Sequence, residues 1–303
     1  HLGSGKSWDL SRRRDGLFIL PPFGSSNGEF TNRIETLSAI REFIKRAKEE
    51  YVLISDCDVV CNIDYQKVIS SHIKNDADIT IIYKRGKLPS KVNKPIVLSL
   101  DSDNHIKDIY IKPKMESECS YSINMFLMER TLLLKLVSEC ISRNARSFNR
   151  DIIQSNVKKY RMYGYEFEGF AKVITSINSY FEANMSIRSK EIRDHLFNNN
   201  RPIYTKIRDD MVTRYGLGAE VKDSIIANGC VIEGKVENSI IFRGVKIGRG
   251  AKVSNCVLMQ DTIIGENCNI NYVISDKDVV IKEDRTLMGF QSYPVYISKA
   301  SMV

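Results

Sequence analysis

The stretch Ser239-Ile-Ile-Phe-Arg-Gly-Val-Lys-Ile-Gly-Arg-Gly-Ala-Lys-Val253 places aliphatic side chains six residues apart, at Ile241, Ile247 and Val253. The same spacing continues on both sides, with Ile226 and Ile232 before it and Leu258, Ile264 and Ile270 after it. Written as coils of 15 to 17 residues, these positions stack in three columns. One column is Ile226, Ile241, Leu258 and Ile274; a second is Ile232, Ile247, Ile264 and Ile281; the third is Val236, Val253 and Ile270. Turn residues sit beside them, as in Ile247-Gly248 and Ile264-Gly265. This is the hexapeptide pattern of a parallel β-helix, in which each coil buries its faces against the next. An ordinary strand–turn protein has no reason to hold three columns over four coils. Residues 219–303 are therefore expected to form a β-helix domain with the columns facing inward.

Toward the N-terminus the period changes. Leu17-Phe-Ile-Leu20 reads as a strand closed by Pro21-Pro22, with a Gly24-Ser-Ser-Asn-Gly28 loop after it. An amphipathic helix follows, with Ile34, Leu37, Ile40, Ile44 and Ala47 on one stripe and Asn32, three before Glu35, as its cap. Tyr51-Val-Leu-Ile-Ser55 and Asp78-Ile-Thr-Ile-Ile-Tyr83 read as buried strands. Further strands are expected at 95–100, 106–111, 120–128 and 160–167, and helices near 65–75, 129–142, 150–157 and 176–187. Such alternation points to an α/β sheet with crossover helices. The expected organisation is an α/β domain over 1–200, a linker over 201–218 and the β-helix over 219–303, close to the ~150 residues per domain of ordinary chains.

Composition and charge narrow the function. At 43% apolar and 27% charged, the 303-residue chain is ordinary globular material. No run reaches the ~18 apolar residues of a membrane span, and no membrane association is expected. Seven cysteines without a CxxC pair indicate neither a zinc site nor a disulfide framework, and reduced thiols fit a cytoplasmic protein. The whole net charge of +8 lies before Ile207, and eight basic residues against three acidic fall between Lys84 and Lys114. Such a surface suits phosphate-bearing ligands. It lacks the interleaved aromatics and base-reading motifs of a nucleic-acid binder, so no nucleic acid is expected.

Few motifs carry chemistry by themselves. Gly3-Ser-Gly-Lys-Ser7 looks like the end of a P-loop, but no apolar helical stripe follows it. Asp58 lies just past the 51–55 strand, where α/β proteins meet Mg²⁺ and phosphates. None of the four histidines, His1, His72, His105 and His195, lies in the β-helix. That argues against the acyltransferases which share this kind of domain and use a coil-borne histidine as general base.

The order of motifs resembles a known family. His1-Leu-Gly-Ser-Gly-Lys-Ser-Trp-Asp-Leu10, Ile19-Leu-Pro-Pro22, Asn62-Ile-Asp-Tyr65, Phe148-Asn-Arg-Asp-Ile-Ile153 and Tyr180-Phe-Glu-Ala-Asn184, followed by the hexapeptide coils, resemble glucose-1-phosphate adenylyltransferase over nearly the whole chain. The resemblance implies a Rossmann-like, GT-A-like nucleotidyltransferase domain joined to a left-handed parallel β-helix. It also implies synthesis of ADP-glucose and pyrophosphate from ATP and glucose 1-phosphate, in glycogen formation. In that family Mg²⁺ held by two aspartates offsets charge on the leaving pyrophosphate. The family's Gly-rich nucleotide loop precedes the segment that matches His1. The chain is accordingly expected to be N-terminally truncated, lacking the first βαβ units.

Carried across by position, Asp58 matches the first metal-binding aspartate, with Cys57 in place of the family's glycine. Lys112 matches a lysine that contacts the sugar phosphate, although the neighbouring glutamate has become Ile111; Ser122 matches a glucose contact. Lys172, in Phe170-Ala-Lys-Val-Ile-Thr175, stands where the second metal-binding aspartate belongs, and Phe30-Thr-Asn-Arg33 replaces a Gly-Thr-Ala-Asp segment. A cation there reverses the local charge, so the usual Mg²⁺ clamp is not expected and no catalytic set is intact. Leu17-Phe-Ile-Leu-Pro-Pro22, Val60-Cys-Asn-Ile-Asp-Tyr65, Arg201-Pro-Ile-Tyr-Thr-Lys206, Phe242-Arg-Gly-Val-Lys-Ile247 and Tyr293-Pro-Val295 resemble the GlgD-type second subunit of the same enzyme. This implies a regulatory, non-catalytic chain that works with a catalytic adenylyltransferase subunit in a hetero-tetramer, with a sugar-phosphate or effector ligand. The alternatives are a self-sufficient adenylyltransferase and, more distantly, a related subunit of a non-metabolic complex.

Overall fold

The structure is a computed structural model, and it describes residues 3–12, 16–20, 32–88, 95–113, 117–204 and 208–303. The Pro21-Pro22 turn, the Gly24–Gly28 loop, Phe30 and Thr31 of the Phe30–Arg33 segment, and Lys114 lie outside the described residues. Two compact units divide at Val173 and Ile174. Residues 174–200, which the sequence reading puts with the α/β domain, group with the β-helix unit.

The first unit is built around one long strand. The strands are β1 (Tyr51–Ile54), β2 (Val59–Cys61), β3 (Ile79–Lys87), β4 (Ile96–Leu100), β5 (Ile106–Ile111), β6 (Glu118–Glu129), β7 (Met162–Glu166) and β8 (Ala171–Val173). The helices are α1 (Arg33–Ala39), α2 (Arg41–Arg46), α3 (Tyr65–Lys74) and α4 (Arg130–Ser142). The sheet runs β5-β4-β6-β3-β7, with β1 also paired to β6. β3 lies antiparallel along β6 throughout, while β4 and β1 share its other edge, at Tyr121/Ser120 and at Phe126–Glu129. β7 joins β3 in parallel. The sheet is thus mixed, and β2 and β8 make a separate antiparallel ribbon.

Both faces of β3 and β6 are covered, which is why their sequences read as apolar runs. Ile79, Ile81, Phe126 and Met128 pack on one face with Ile34 of α1, Leu133 and Leu136 of α4, and Phe148. Ile82, Ile123, Met125 and Leu127 pack on the other with Ile63 and Val68. Three local expectations change. Leu17–Leu20 forms no strand, and Phe18 and Ile19 are exposed, so the apolar run there reflects no buried ladder. The stripe from Ile34 to Ala47 is broken at Ile40 into α1 and α2, although Asn32 caps α1 through Glu35 N as read. The 150–157 helix is instead a π-turn over Phe148–Ile153 followed by a 3₁₀ turn, Gln154–Asn156.

The second unit holds α5 (Ile177–Ser186), α6 (Lys190–Leu196) and a parallel β-solenoid. Its three sheets contain five strands each, every pair parallel and one coil apart. Each corner turns on a left-handed residue: Asp223, Asn238 and Asn255 at one, Gly244, Asp261 and Asp278 at the next, Gly250, Asn267 and Asp284 at the third. Asn, Asp and Gly tolerate this conformation best, which explains the polar punctuation between the aliphatics.

Two of the expected columns hold in register. Ile232, Ile247, Ile264 and Ile281 pair in succession and are at most 2% exposed. Val236, Val253 and Ile270 do the same, and the column continues to Leu287. The remaining column needs a correction at its last member. Leu258 pairs with Ser275, whereas Ile274 pairs with Val257. Val257 and Ile274 face outward and are buried beneath Phe181 of α5. Ser275 is accommodated inside because its hydroxyl pairs with that of Thr262 at 2.9 Å. The Tyr180–Asn184 motif thus covers the solenoid: Phe181 is buried there, and Asn184 donates to the Tyr180 carbonyl.

Replacing Ile247 with alanine is expected to destabilise the solenoid by about 2–5 kcal/mol, and Ile247→Asp by more, because it buries a charge without a partner. Urea unfolding of the two variants checks the order; equal stability of Ile247→Asp and the parent would contradict an inward Ile247.

Candidate functional site

The candidate site forms where β1 ends. The chain leaves β1 at Ile54, turns through Ser55–Asp58 and enters β2. Asp64 then caps α3 by accepting from Gln66 N and Lys67 N, a structural reason for the Asn62–Tyr65 motif. Asp56 is ion-paired with Arg33. The Arg33 guanidinium also lies over the rings of Phe148 and Phe126, with centroid distances of 5.1 and 5.8 Å. Burial, reinforced by the charge of Asp56, holds the Asp58 carboxyl above the usual carboxylate range, with Arg33 pulling the other way. One oxygen of Asp58 and one nitrogen of Arg33 are buried without hydrogen-bond partners among the described residues.

Lys172 lies on β8, directly across from Val60 of β2. The register therefore brings Lys172 to the ribbon that Asp58 opens. At this place the donor set is one carboxylate and one ammonium, with Asp56 already neutralised by Arg33. It does not fit a two-carboxylate clamp for Mg²⁺.

Ser122 and Lys112 come to the same end of the main sheet. Ser122 pairs with Tyr83 at a break in the β3–β6 register, where Asn124 is left-handed. The Ser122 hydroxyl accepts from Asn124 N at 3.0 Å, so it helps close this bulge. Val97 pairs with both Tyr110 and Tyr121, which sets Ser122 level with Ile111 and one row from Lys112. Lys112 is exposed, has φ 55°, and donates its backbone N–H to Pro95 O at 2.8 Å.

Several residues that the sequence did not single out organise this end. Lys84 donates from Nζ to the carbonyls of Phe167 and Gly169 and lies over the Phe167 ring. It thereby ties down the segment that leads into β8 and Lys172. Burial depresses its ammonium below the ordinary lysine range. The Tyr83 hydroxyl donates within reach of Asn104 Oδ1, at 3.0 Å, and Glu166 Oε2, at 3.2 Å; Arg85 pairs with Glu166. The sequence gives no signal for Lys84, because it opens a basic end of the Ile79–Lys87 strand that also holds Arg85 and Lys87.

The other reactive types are accounted for structurally. His72 is 2% exposed, its Nδ1 is 2.7 Å from Thr80 Oγ1, and its ring meets Tyr51 edge to face. All seven cysteines are free. The Cys61 thiol, beside the ribbon, is pushed up to about 11 by burial and is no nucleophile at neutral pH. Among the described residues, no helix is long and apolar enough to cross a membrane.

With this geometry in place, comparison with known proteins is decisive. The nucleotidyl transferase model matches residues 21–190, and the GlmU-like C-terminal hexapeptide model matches residues 210–292. The glycogen biosynthesis protein GlgD of Bacillus subtilis (strain 168) is 34% identical over 300 residues, covering 99% of this chain and 77% of that protein. This chain belongs to the nucleotidyl transferase family, in its GlgD branch. GlgD of Geobacillus stearothermophilus is 36% identical over 257 residues, covering 84% of this chain and 64% of that protein. The glucose-1-phosphate adenylyltransferase of Clostridium perfringens (strain 13 / Type A) is 30% identical over 265 residues, 84% of this chain and 65% of that enzyme. The chain thus spans between 64 and 77% of the length of these three curated relatives.

The buried His72 gives a pH test. Burial lowers its pKa from the ordinary 6.5, so the unfolded chain takes up the proton first as pH falls. Stability attributable to His72 is therefore full above pH 6.5 and declines below it, down to the depressed folded value. A His72→Gln variant should flatten this decline in urea midpoints measured across that range; an unchanged slope would count against the burial argument.

Proposed function

We propose that this chain acts in glycogen biosynthesis as a GlgD-type subunit that is catalytically silent alone and raises the activity of a catalytic glucose-1-phosphate adenylyltransferase in a hetero-tetramer. The observation that carries the reading is Lys172 on the ribbon that begins at Asp58. A second carboxylate there would help a divalent ion neutralise phosphate charge; an ammonium opposes the ion. Unit charges ~4 Å apart repel by about 4 kcal/mol at an effective dielectric of 20. At ~1.4 kcal/mol per tenfold this amounts to nearly three powers of ten in rate, as an upper bound for a lysine that can turn aside. On this reading the chain does not hold Mg²⁺ for catalysis, and it resides in the cytoplasm, where its partner and the nucleotide substrate are found.

The full-length gene product, assayed with ATP, glucose 1-phosphate and Mg²⁺, is expected to show no robust turnover alone and to stimulate a catalytic partner. Lys172→Asp should raise the activity of the protein alone if the metal position is the main defect. Robust turnover by the unmutated protein without a partner would overturn the proposal.

Lys112 is proposed to keep a role as a point charge for a sugar phosphate at the Ser122 end of the sheet. Its exposed ammonium and the positive charge of the first 206 residues support this role. Lys112→Ala should weaken glucose 1-phosphate binding by about tenfold, the scale of one charge-assisted contact. Unchanged binding in calorimetric titration would remove Lys112 from the site.

A further inference from the structure

Arg33 is the first residue of α1. A cation there opposes the unpaired N–H groups of a helix start, so the helix itself gives no reason for it. Its surroundings do. The guanidinium pairs with Asp56 and lies over the rings of Phe148 and Phe126. The ion pair is largely shielded, with the two side chains 23 and 29% exposed. Asp56 and Asp58 flank Cys57 in the turn that leaves β1, and carboxylate oxygens so placed are the donors a divalent cation takes. Among the described residues, one oxygen of Asp58 and the second terminal nitrogen of the Arg33 fork are buried without hydrogen-bond partners. The charge that α1 sets against this acidic turn is permanent, because arginine stays protonated at any ordinary pH.

We propose that Arg33 is an internal stand-in for a divalent cation: its guanidinium occupies the electrostatic place beside the Asp56–Asp58 turn and keeps out a metal ion that these carboxylates would otherwise bind. This role deepens the proposed silence of the site, and rests on that reading for a parent protein that holds no divalent ion. Lys172 opposes an ion, whereas Arg33 replaces one. Two shielded carboxylates on one short turn repel each other unless a cation is fixed beside them. A guanidinium suits the position because its edge donates to a carboxylate while its face stacks on an aromatic ring. Asp56 takes the first contact and Phe148 the second. An entering ion would have to break both at once and also shed part of its own water.

The test uses Mn²⁺ alone as the probe and the full-length protein, with binding read from loss of the free-ion electron paramagnetic resonance signal. The parent should show no saturable binding at millimolar Mn²⁺. Arg33→Met keeps a chain that packs on the rings and removes the charge. It should bind Mn²⁺ more tightly than the parent by about tenfold or more, the scale of one charge-assisted contact. Mn²⁺ should then raise the thermal midpoint of Arg33→Met and leave that of the parent unmoved. Arg33→Lys, which keeps the charge, should behave as the parent, and Asp56→Asn added to Arg33→Met should abolish the gain. Were Arg33 only a packing residue, Mn²⁺ affinity would stay the same in all these variants; that result, or saturable binding by the parent, would overturn the proposal. A gain in Lys172→Met without one in Arg33→Met would also overturn it. The silent-subunit reading would survive that outcome, because turnover alone and stimulation of a partner are measured separately.

Discussion

Strand β6 must satisfy its backbone along two edges while both of its faces are buried, and this constraint orders the first unit. One edge is occupied by β3 over its length; the other is divided between β4 near Tyr121 and β1 beyond Phe126. Fixing β1 fixes the turn that carries Asp56 and Asp58. Fixing β4 fixes β5 and so the height of Lys112 relative to Ser122. The register break opposite Ile82 and Tyr83 is tolerated because Asn124 adopts a left-handed conformation and Ser122 closes the gap. Unpaired backbone at this depth would cost more than that local distortion.

The two units differ in how much of their structure the sequence exposed. In the solenoid, each inward position is repeated one coil later, so a single column is tested several times within the chain. Its one misplaced member, Ile274, shows the limit of that redundancy. Where α5 covers the outer face, aliphatic side chains occur on both sides of the strand at 273–275, and polarity no longer distinguishes in from out. Coil length still does: Leu258 to Ser275 advances 17 residues, matching Val253 to Ile270 and Ile264 to Ile281. In the first unit, Leu17–Leu20 is apolar without being a strand, because short apolar runs do not report whether a pairing partner exists.

At the site the legible part was chemical type and the illegible part was contact. Asp58 and Lys172 stand out because a carboxylate past a buried strand and a cation in a family carboxylate position are visible one residue at a time. Arg33 does not, since its partner lies 23 residues away and its stacking on Phe126 and Phe148 depends on the closed fold. Lys84 binds main-chain carbonyls, which every residue carries, so no side-chain pattern announces it. The same fold-dependent placement gives Lys172 its importance, since only pairing with β2 brings position 172 to the Asp58 turn.

The solenoid's construction from coils that touch only their neighbours has a consequence for how its length can vary. Each coil adds one strand to all three sheets at once, and strands within a sheet are spaced by about 4.8 Å. The domain can therefore lengthen or shorten only in whole rungs of that height. Loss of one entire coil would restack the columns with their inward faces matched, while differences of a few residues are taken up between the strands, as the 15-residue step from Ile232 to Ile247 and the 17-residue step from Ile247 to Ile264 keep one column in register. Sequence drift in this domain is thus filtered by a step size, and the distance between its two ends behaves as a quantised dimension of the protein.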